Sequence, residues 1–194
     1  MNQIQIDHYI AVIFYSTMKL IADKGLSNVK IRDIIQDTGI NPNLIYKIFP
    51  NKEEIILRLF EKCIENLGKR FDGKYNCNTK EYIREKITTI INRDRIYSVI
   101  YNEIRAKTLR SPRIEEAFKR LNQSLRTRLE LILTNGKNMG HIPKNISTET
   151  ATDRIIFIIE IARTMTVSET EKPLFSNMIS TLIDQSLSPN VEWK

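Results

Sequence analysis

Apolar residues recur at spacings of three and four along almost the whole chain, and long runs of strict alternation are absent. That period is the helical one, so the chain reads as all-α. In the first helix Ile10, Ile13, Phe14, Leu20 and Ile21 share an inner face, with Asp7 as the expected cap and Gly25 as the stop. A second helix is predicted from Ile31 to Thr38, with Ile31, Ile34 and Ile35 inward. A short third helix runs from Pro42 to Phe49. A fourth starts at Lys52, where Asn51 and Glu54 have the spacing of a capping box, and continues through Leu67. The polar stretch 72–78 marks a boundary, closed by Asn78 and Glu81 as another capping box. Beyond it the pattern predicts helices over 79–92, 95–109, 112–139, 148–167 and 173–187.

The segment from Thr38 to Glu54 is the most compact part of this pattern. Gly39 tolerates the left-handed backbone that ends a helix. Asn41 caps the next helix, and Pro42 fits its first position, where a missing N–H costs nothing. Helix, sharp turn and short second helix make a helix-turn-helix, whose second helix enters a DNA major groove. Ile45, Ile48 and Phe49 form its docking face, which leaves Asn43, Leu44, Tyr46 and Lys47 outward. Asn43 suits an adenine edge and Leu44 a thymine methyl, while Tyr46 and Lys47 suit phosphates. Tyr46 alternatively fills the seam between helices. Lys52 sits where a helix start already favours a phosphate, and Lys30 and Arg32 have the same placement on the second helix. With the capping Asn41, these are the candidate DNA-binding residues.

From about Ile10 to Leu67 the chain resembles the DNA-binding domain of TetR-type transcriptional repressors. The resemblance rests on Gly25, on Ile31-Arg32-Asp33-Ile34, on Thr38-Gly39-Ile40-Asn41, and on Ile45-Tyr46-Lys47-Ile48-Phe49-Pro50-Asn51-Lys52-Glu53. It implies an N-terminal three-helix helix-turn-helix domain over 1–50 and a connecting helix over 51–72. A C-terminal helical bundle for ligand binding and dimerisation follows over 78–194. It also implies a homodimer on a near-palindromic double-stranded operator, released when a small-molecule effector binds the C-terminal domain. Tyr46 and Lys52 then contact phosphates, with Asn43, Leu44 and Lys47 on the reading face. Three features depart from the family pattern. Val29 and Lys30 stand where threonines are common, so either Asn28 caps the second helix or Lys30 takes over the phosphate contact. Asn43 and Leu44 replace a common glycine and a small hydroxyl residue, so no base preference carries over. No basic arm precedes the first helix.

Composition narrows the picture further. The chain has 194 residues, 41% of them apolar and 27% charged, which suits a globular protein with a sizeable core. The net charge of +7 is compatible with an anionic partner, but the excess lies mainly beyond residue 78. Eight basic and two acidic residues lie between Arg105 and Arg128, which suggests either a solvated helix face or attraction of an anionic ligand. Two cysteines, Cys63 and Cys77, make no disulfide framework and suit a reducing cytoplasm. No secretory pattern opens the chain, and the run Ile155–Ile159 is too short to cross a membrane.

That run is apolar on nearly every side of its helix, and the last helix carries Leu174, Phe175, Met178, Ile179, Leu182 and Ile183. Such helices need cover all round, so the two C-terminal helices are expected to form the homodimer interface. Candidate ligand-lining residues are Tyr97, Tyr101, Asn102, Phe118, Leu121, Leu125, Phe157 and Ile161, residue types that at such positions are more often plain core than ligand contact. Two isolated histidines, His8 and His141, with no phosphate loop or metal motif, argue against an enzyme and give no reason to expect a metal or cofactor. The alternative to a ligand-responsive repressor is a helical protein-binding adaptor that keeps the fold without an inducer.

Overall fold

The computed structural model describes residues 2–72, 77–92, 95–165 and 167–188, and every regular element among them is a helix. In chain order these are α1 (Gln3–Lys24), α2 (Ile31–Thr38), α3 (Pro42–Ile48), α4 (Lys52–Arg70) and α5 (Thr79–Ile91). Then come α6 (Arg95–Thr108), α7 (Pro112–Asn138), α8 (Thr148–Thr164) and α9 (Lys172–Ser186). Each predicted helix is present, and most ends differ from the expected ones by a residue or two. The first start is a correction. α1 begins at Gln3, and its cap is Asn2: the Asn2 side-chain Oδ1 accepts from the Gln5 N–H at 2.9 Å, and the Gln5 side chain accepts from the Asn2 N–H at 3.1 Å. This reciprocal pair satisfies two otherwise orphaned donors. Asp7 lies inside the helix instead, accepting from the Gln3 side chain at 2.8 Å.

The chain forms two compact units. The first comprises Met1–Ile64 with Arg95–Phe118. Its core is built from Ile13, Ile21, Ile34, Ile45, Phe49, Ile55 and Phe60, joined by Ile100, Tyr101, Ile104, Ile114 and Ala117. α6 and the start of α7 are therefore part of the unit that holds the helix-turn-helix, although a boundary near residue 78 would separate them from it. Three polar ties fix them there. The Leu26 N–H donates to the Glu103 carboxylate at 3.3 Å, the Ser111 hydroxyl donates to Glu53 at 3.2 Å, and Arg113 pairs with Glu54 at 2.8 Å. The last contact takes the carboxylate that the Asn51–Glu54 spacing assigned to a capping box. Only the Asn51 half forms, accepting from the Glu54 N–H at 2.9 Å.

The second unit comprises Glu65–Asp94 with Lys119–Lys194. Its core joins Ile83, Ile87 and Ile90 of α5 to Leu125, Leu129 and Leu133 of α7. Ile155, Ile158 and Ile159 of α8 and Phe175, Ile179 and Ile183 of α9 complete it. Ile142 of the α7–α8 loop packs against this core as well.

Candidate nucleic-acid interface

The helix-turn-helix is held at each joint by a local contact. Gly39 has φ +64°, a left-handed conformation that costs a side-chain-bearing residue strain, and its N–H donates to the Ile35 carbonyl at 3.0 Å. Asn41 accepts from the Asn43 N–H at 2.9 Å, and Pro42 follows in the first turn of α3. The far end closes with the Phe49 N–H on the Ile45 carbonyl at 2.8 Å. The Arg58 guanidinium lies 4.9 Å from the centre of the Phe49 ring, whose other neighbour is Phe14, with ring centres 5.8 Å apart. Ile45 and Phe49 are fully buried, so α3 cannot roll about its axis without opening the core.

That fixed inner face decides what points outward. Asn43, Tyr46 and Lys47 are exposed, and Leu44 is half-buried. Tyr46 is 47% exposed, which places it on the outer face and not in an interhelical seam. Asn41 is exposed too, but its side-chain Oδ1 serves the cap.

At the start of α2 Asn28 does not supply the missing cap. The Asp33 carboxylate accepts from the Lys30 N–H at 2.8 Å and from the Lys24 ammonium at 2.7 Å. The Lys24 ammonium, and after it the Lys30 N–H, hold the Asp33 carboxyl below its ordinary pKa. Asn28 turns the other way, donating to the Lys24 carbonyl at the end of α1 at 2.7 Å. The signal was present in the sequence, since Lys30 and Asp33 have the spacing of a helix cap and its third residue. The side chains of Lys30 and Arg32 remain exposed.

Lys52 opens α4, and its side chain has partners within the protein. Its ammonium donates to the Leu26 carbonyl at 3.0 Å and to the Val29 carbonyl at 2.7 Å. It thereby ties the start of α4 to the loop between α1 and α2. Two of the three ammonium donors are spent inside the protein. Burial, and then the nearby charge of Lys107, push its pKa down.

The eight candidate ligand-lining residues are divided between the two units. Tyr97, Tyr101, Asn102 and Phe118 belong to the first unit, and the rest to the second. Tyr101 and Phe118 have ring centres 5.8 Å apart, and Phe118 stacks on Phe60 at 5.5 Å, an aromatic core cluster. Leu121 and Leu125 are buried, and Ile161 is half-buried against the second core. Phe157 is 67% exposed on the outside of α8. It borders a cleft of about 290 Å³ lined by Asp153, Arg154, Phe157, Ile158, Leu182 and Ser186. Leu174, Met178 and Met165 are exposed on the same two helices and the residue after α8. The basic run between Arg105 and Arg128 is likewise divided. Arg113 pairs with Glu54, Arg126 with Asp153 and Glu130, and Arg128 with Asp72.

Among the described residues no group of three or more His, Cys, Asp or Glu side chains could hold a metal ion. Cys63 and Cys77 are not disulfide-bonded. His8 is exposed, whereas His141 is half-buried with its Nδ1 3.1 Å from the Thr79 hydroxyl. No helix among the described residues is long and apolar enough to cross a membrane.

A short helix pinned on its apolar side and bare on its polar side, after a left-handed turn, defines a helix-turn-helix DNA-binding protein. The family model for bacterial regulatory proteins of the tetR family matches residues 13–59, and the N-terminal domain belongs to that family. The chain is 24% identical over 168 residues to the fatty acid metabolism regulator protein of Bacillus subtilis, covering 82% of this chain and 84% of the relative. Its fold is shared by a TetR transcription regulator from Haloarcula marismortui, with a TM-score of 0.80 and 16% identity, covering 94% of this chain and 100% of the other. It is shared too by the regulator FadR from Bacillus subtilis, solved in complex with stearoyl-CoA, with a TM-score of 0.72 and 20% identity over 93% and 99% of the two chains. The chain is thus similar to TetR-type transcriptional regulators, through the matched domain over residues 13–59 and through a fold shared along most of its length.

Proposed function

We propose that this chain is a ligand-responsive repressor that binds a near-palindromic operator as a homodimer and is released by a small molecule held in its C-terminal helical unit. The observation that carries the DNA reading is the outer face of α3, where Asn43, Tyr46 and Lys47 are exposed over a buried Ile45 and Phe49. Asn43, Leu44 and Lys47 read the groove, and Tyr46, Lys30 and Arg32 hold phosphates. Lys52 contributes mainly by holding the α1–α2 loop, with one N–H left for a phosphate. The homodimer forms through α8 and α9, whose outer faces carry Phe157, Met165, Leu174 and Met178 in the open. Large exposed apolar side chains around a cleft are the mark of an interface and not of a solvated surface. Phe157 thus belongs to the dimer contact and leaves Leu121, Leu125 and Ile161 as the ligand-side candidates.

The effector is a fatty acid derivative of the acyl-CoA type. Support comes from the FadR relative bound to stearoyl-CoA and from the fatty acid regulator matched along most of the chain. The protein acts in the cytoplasm, where its operator lies. A mobility-shift assay with the DNA upstream of its own coding region tests these points together. The wild type is expected to shift that DNA in preference to random sequence, and stearoyl-CoA to reverse the shift. Binding with no sequence preference rejects the repressor reading, and a shift that no acyl-CoA reverses rejects the effector.

A further inference from the structure

We propose that the end of α6 extends the DNA face, with Lys107 and Arg110 adding phosphate contacts beside Lys52. The inference rests on the DNA-binding reading above. Its starting point is the polar tie between Glu103 and the Leu26 N–H at 3.3 Å, which sets α6 against the loop between α1 and α2. Lys107 lies one helical turn beyond Glu103 and therefore on the same side of α6. The same loop receives the Lys52 ammonium on its Leu26 and Val29 carbonyls. Lys107 is close enough for its charge to oppose that of Lys52, and it acts on Lys52 more strongly than Asp33 does in the other direction.

Arg110 follows at the corner, exposed, with its N–H on the Lys107 carbonyl at 3.0 Å. The corner itself is pinned. Ser111 donates to Glu53 and Arg113 pairs with Glu54, both in the first turn of α4 next to Lys52.

The neighbouring carboxylates are already used. Asp33 serves Lys24 and the Lys30 N–H, Glu103 the Leu26 N–H, Glu53 the Ser111 hydroxyl, and Glu54 the Arg113 guanidinium. Among the described residues, none of these acids forms an ion pair with Lys52, Lys107 or Arg110. Cations gathered in this way are stabilised by an anion from outside. Duplex DNA is the occupant because the loop that Lys52 holds leads straight into the exposed Lys30 and Arg32 at the start of α2. Phosphate contacts of this kind add affinity without sequence preference.

The test is the salt dependence of binding to a fluorescein-labelled random-sequence duplex, measured by anisotropy with the full chain. Each lost phosphate contact makes the slope of log K against log salt shallower by about 0.9. The double variant K107A/R110A is expected to lose about two such steps per protomer, and the charge-preserving K107R/R110K to keep the wild-type slope. The control K144A/K172A removes the same charge from the second unit and should leave the slope alone. Thermal melting verifies that each variant is folded. An unchanged slope in K107A/R110A, or an equal loss in the control, overturns the inference while the wild type still binds. A wild type with no salt-dependent binding overturns the DNA reading and the inference together.

Discussion

Two uncovered helix faces, one in each unit, are opposite in chemistry. On α3 the open side is polar, with Asn43, Tyr46 and Lys47 exposed above a fully buried Ile45 and Phe49. On α8 and α9 the open side is apolar, with Phe157 at 67% and Leu174 at 75% exposure above a buried Ile158 and Ile179. The inner faces are alike: isoleucine and phenylalanine packed to closure. The difference lies in what the outer face asks of a partner. A polar, cationic helix gains by meeting phosphates and base edges, which keep their hydrogen bonds in water until contact is made. An apolar helix gains only by losing water, so its partner must be another apolar surface, and a second copy of the same face is the simplest.

The largest expected effect falls on the apolar face. Replacing Phe157 and Leu174 together by aspartate removes four large side chains from a two-fold interface. At about 1.5 kcal/mol each, that is roughly 6 kcal/mol, or about 10⁴-fold in the dimer dissociation constant. Light scattering should find a monomer at micromolar protein, with the fold retained because both residues are exposed. A dimer that survives the double change places the interface elsewhere.

Within the first unit, the inner and outer sides of α3 should separate cleanly. Phe49→Ala empties a fully buried site between Phe14 and Arg58, and should cost about 3–5 kcal/mol in urea unfolding. Tyr46→Ala alters an exposed side chain and should change stability by no more than about 0.5 kcal/mol, yet weaken operator binding. If Tyr46→Ala destabilises the fold as much as Phe49→Ala, the outer face of α3 is structural after all.

Lys52 lies between these two cases. Its ammonium holds two loop carbonyls, so Lys52→Met should cost about 2 kcal/mol of stability as well as some DNA affinity. A variant that loses DNA affinity with unchanged unfolding shows Lys52 to be a phosphate ligand first.

What could be read from the sequence divides along the same line. The caps at Gly39, Asn41 and Pro42 were legible because each depends on neighbours a few residues away. The helices were legible because period is a local property. The placement of α6 was not, since Glu103 finds its partner at Leu26, far back along the chain, and nothing in the period of α6 says which core it will join. The two carbonyls that Lys52 holds were not legible for the same reason, since they belong to the loop after α1. In the second unit the run Ile155–Ile159 showed that α8 is apolar all round. Such a run cannot say that Phe157 alone is left outside. The candidate ligand residues were chosen by type, and type does not distinguish Tyr101 in an aromatic core from a pocket wall.

The smallest effect is one of pH, and it again sets the two units side by side. Asp33 at the start of α2 and Glu171 at the start of α9 both have lowered pKa values. The Lys24 ammonium is the first cause at Asp33, and the Ser168 hydroxyl, 2.6 Å from the carboxylate, is the first cause at Glu171. In each case the folded chain holds the proton off where the unfolded chain would take it up. The unfolded state then binds more protons, so acid favours unfolding. The stability each group supplies is complete above the ordinary carboxylate range and disappears as pH falls through the lowered folded value. Asp33→Asn and Glu171→Gln should both melt below the wild type at neutral pH, and both gaps should close in acid. Salt distinguishes them: the Asp33 gap depends on an ion pair with Lys24 and should shrink as ionic strength rises, while the Glu171 gap depends on a neutral hydroxyl and an N–H and should persist. A gap at Asp33 that ignores both pH and salt removes the carboxylate from the explanation of how α2 begins.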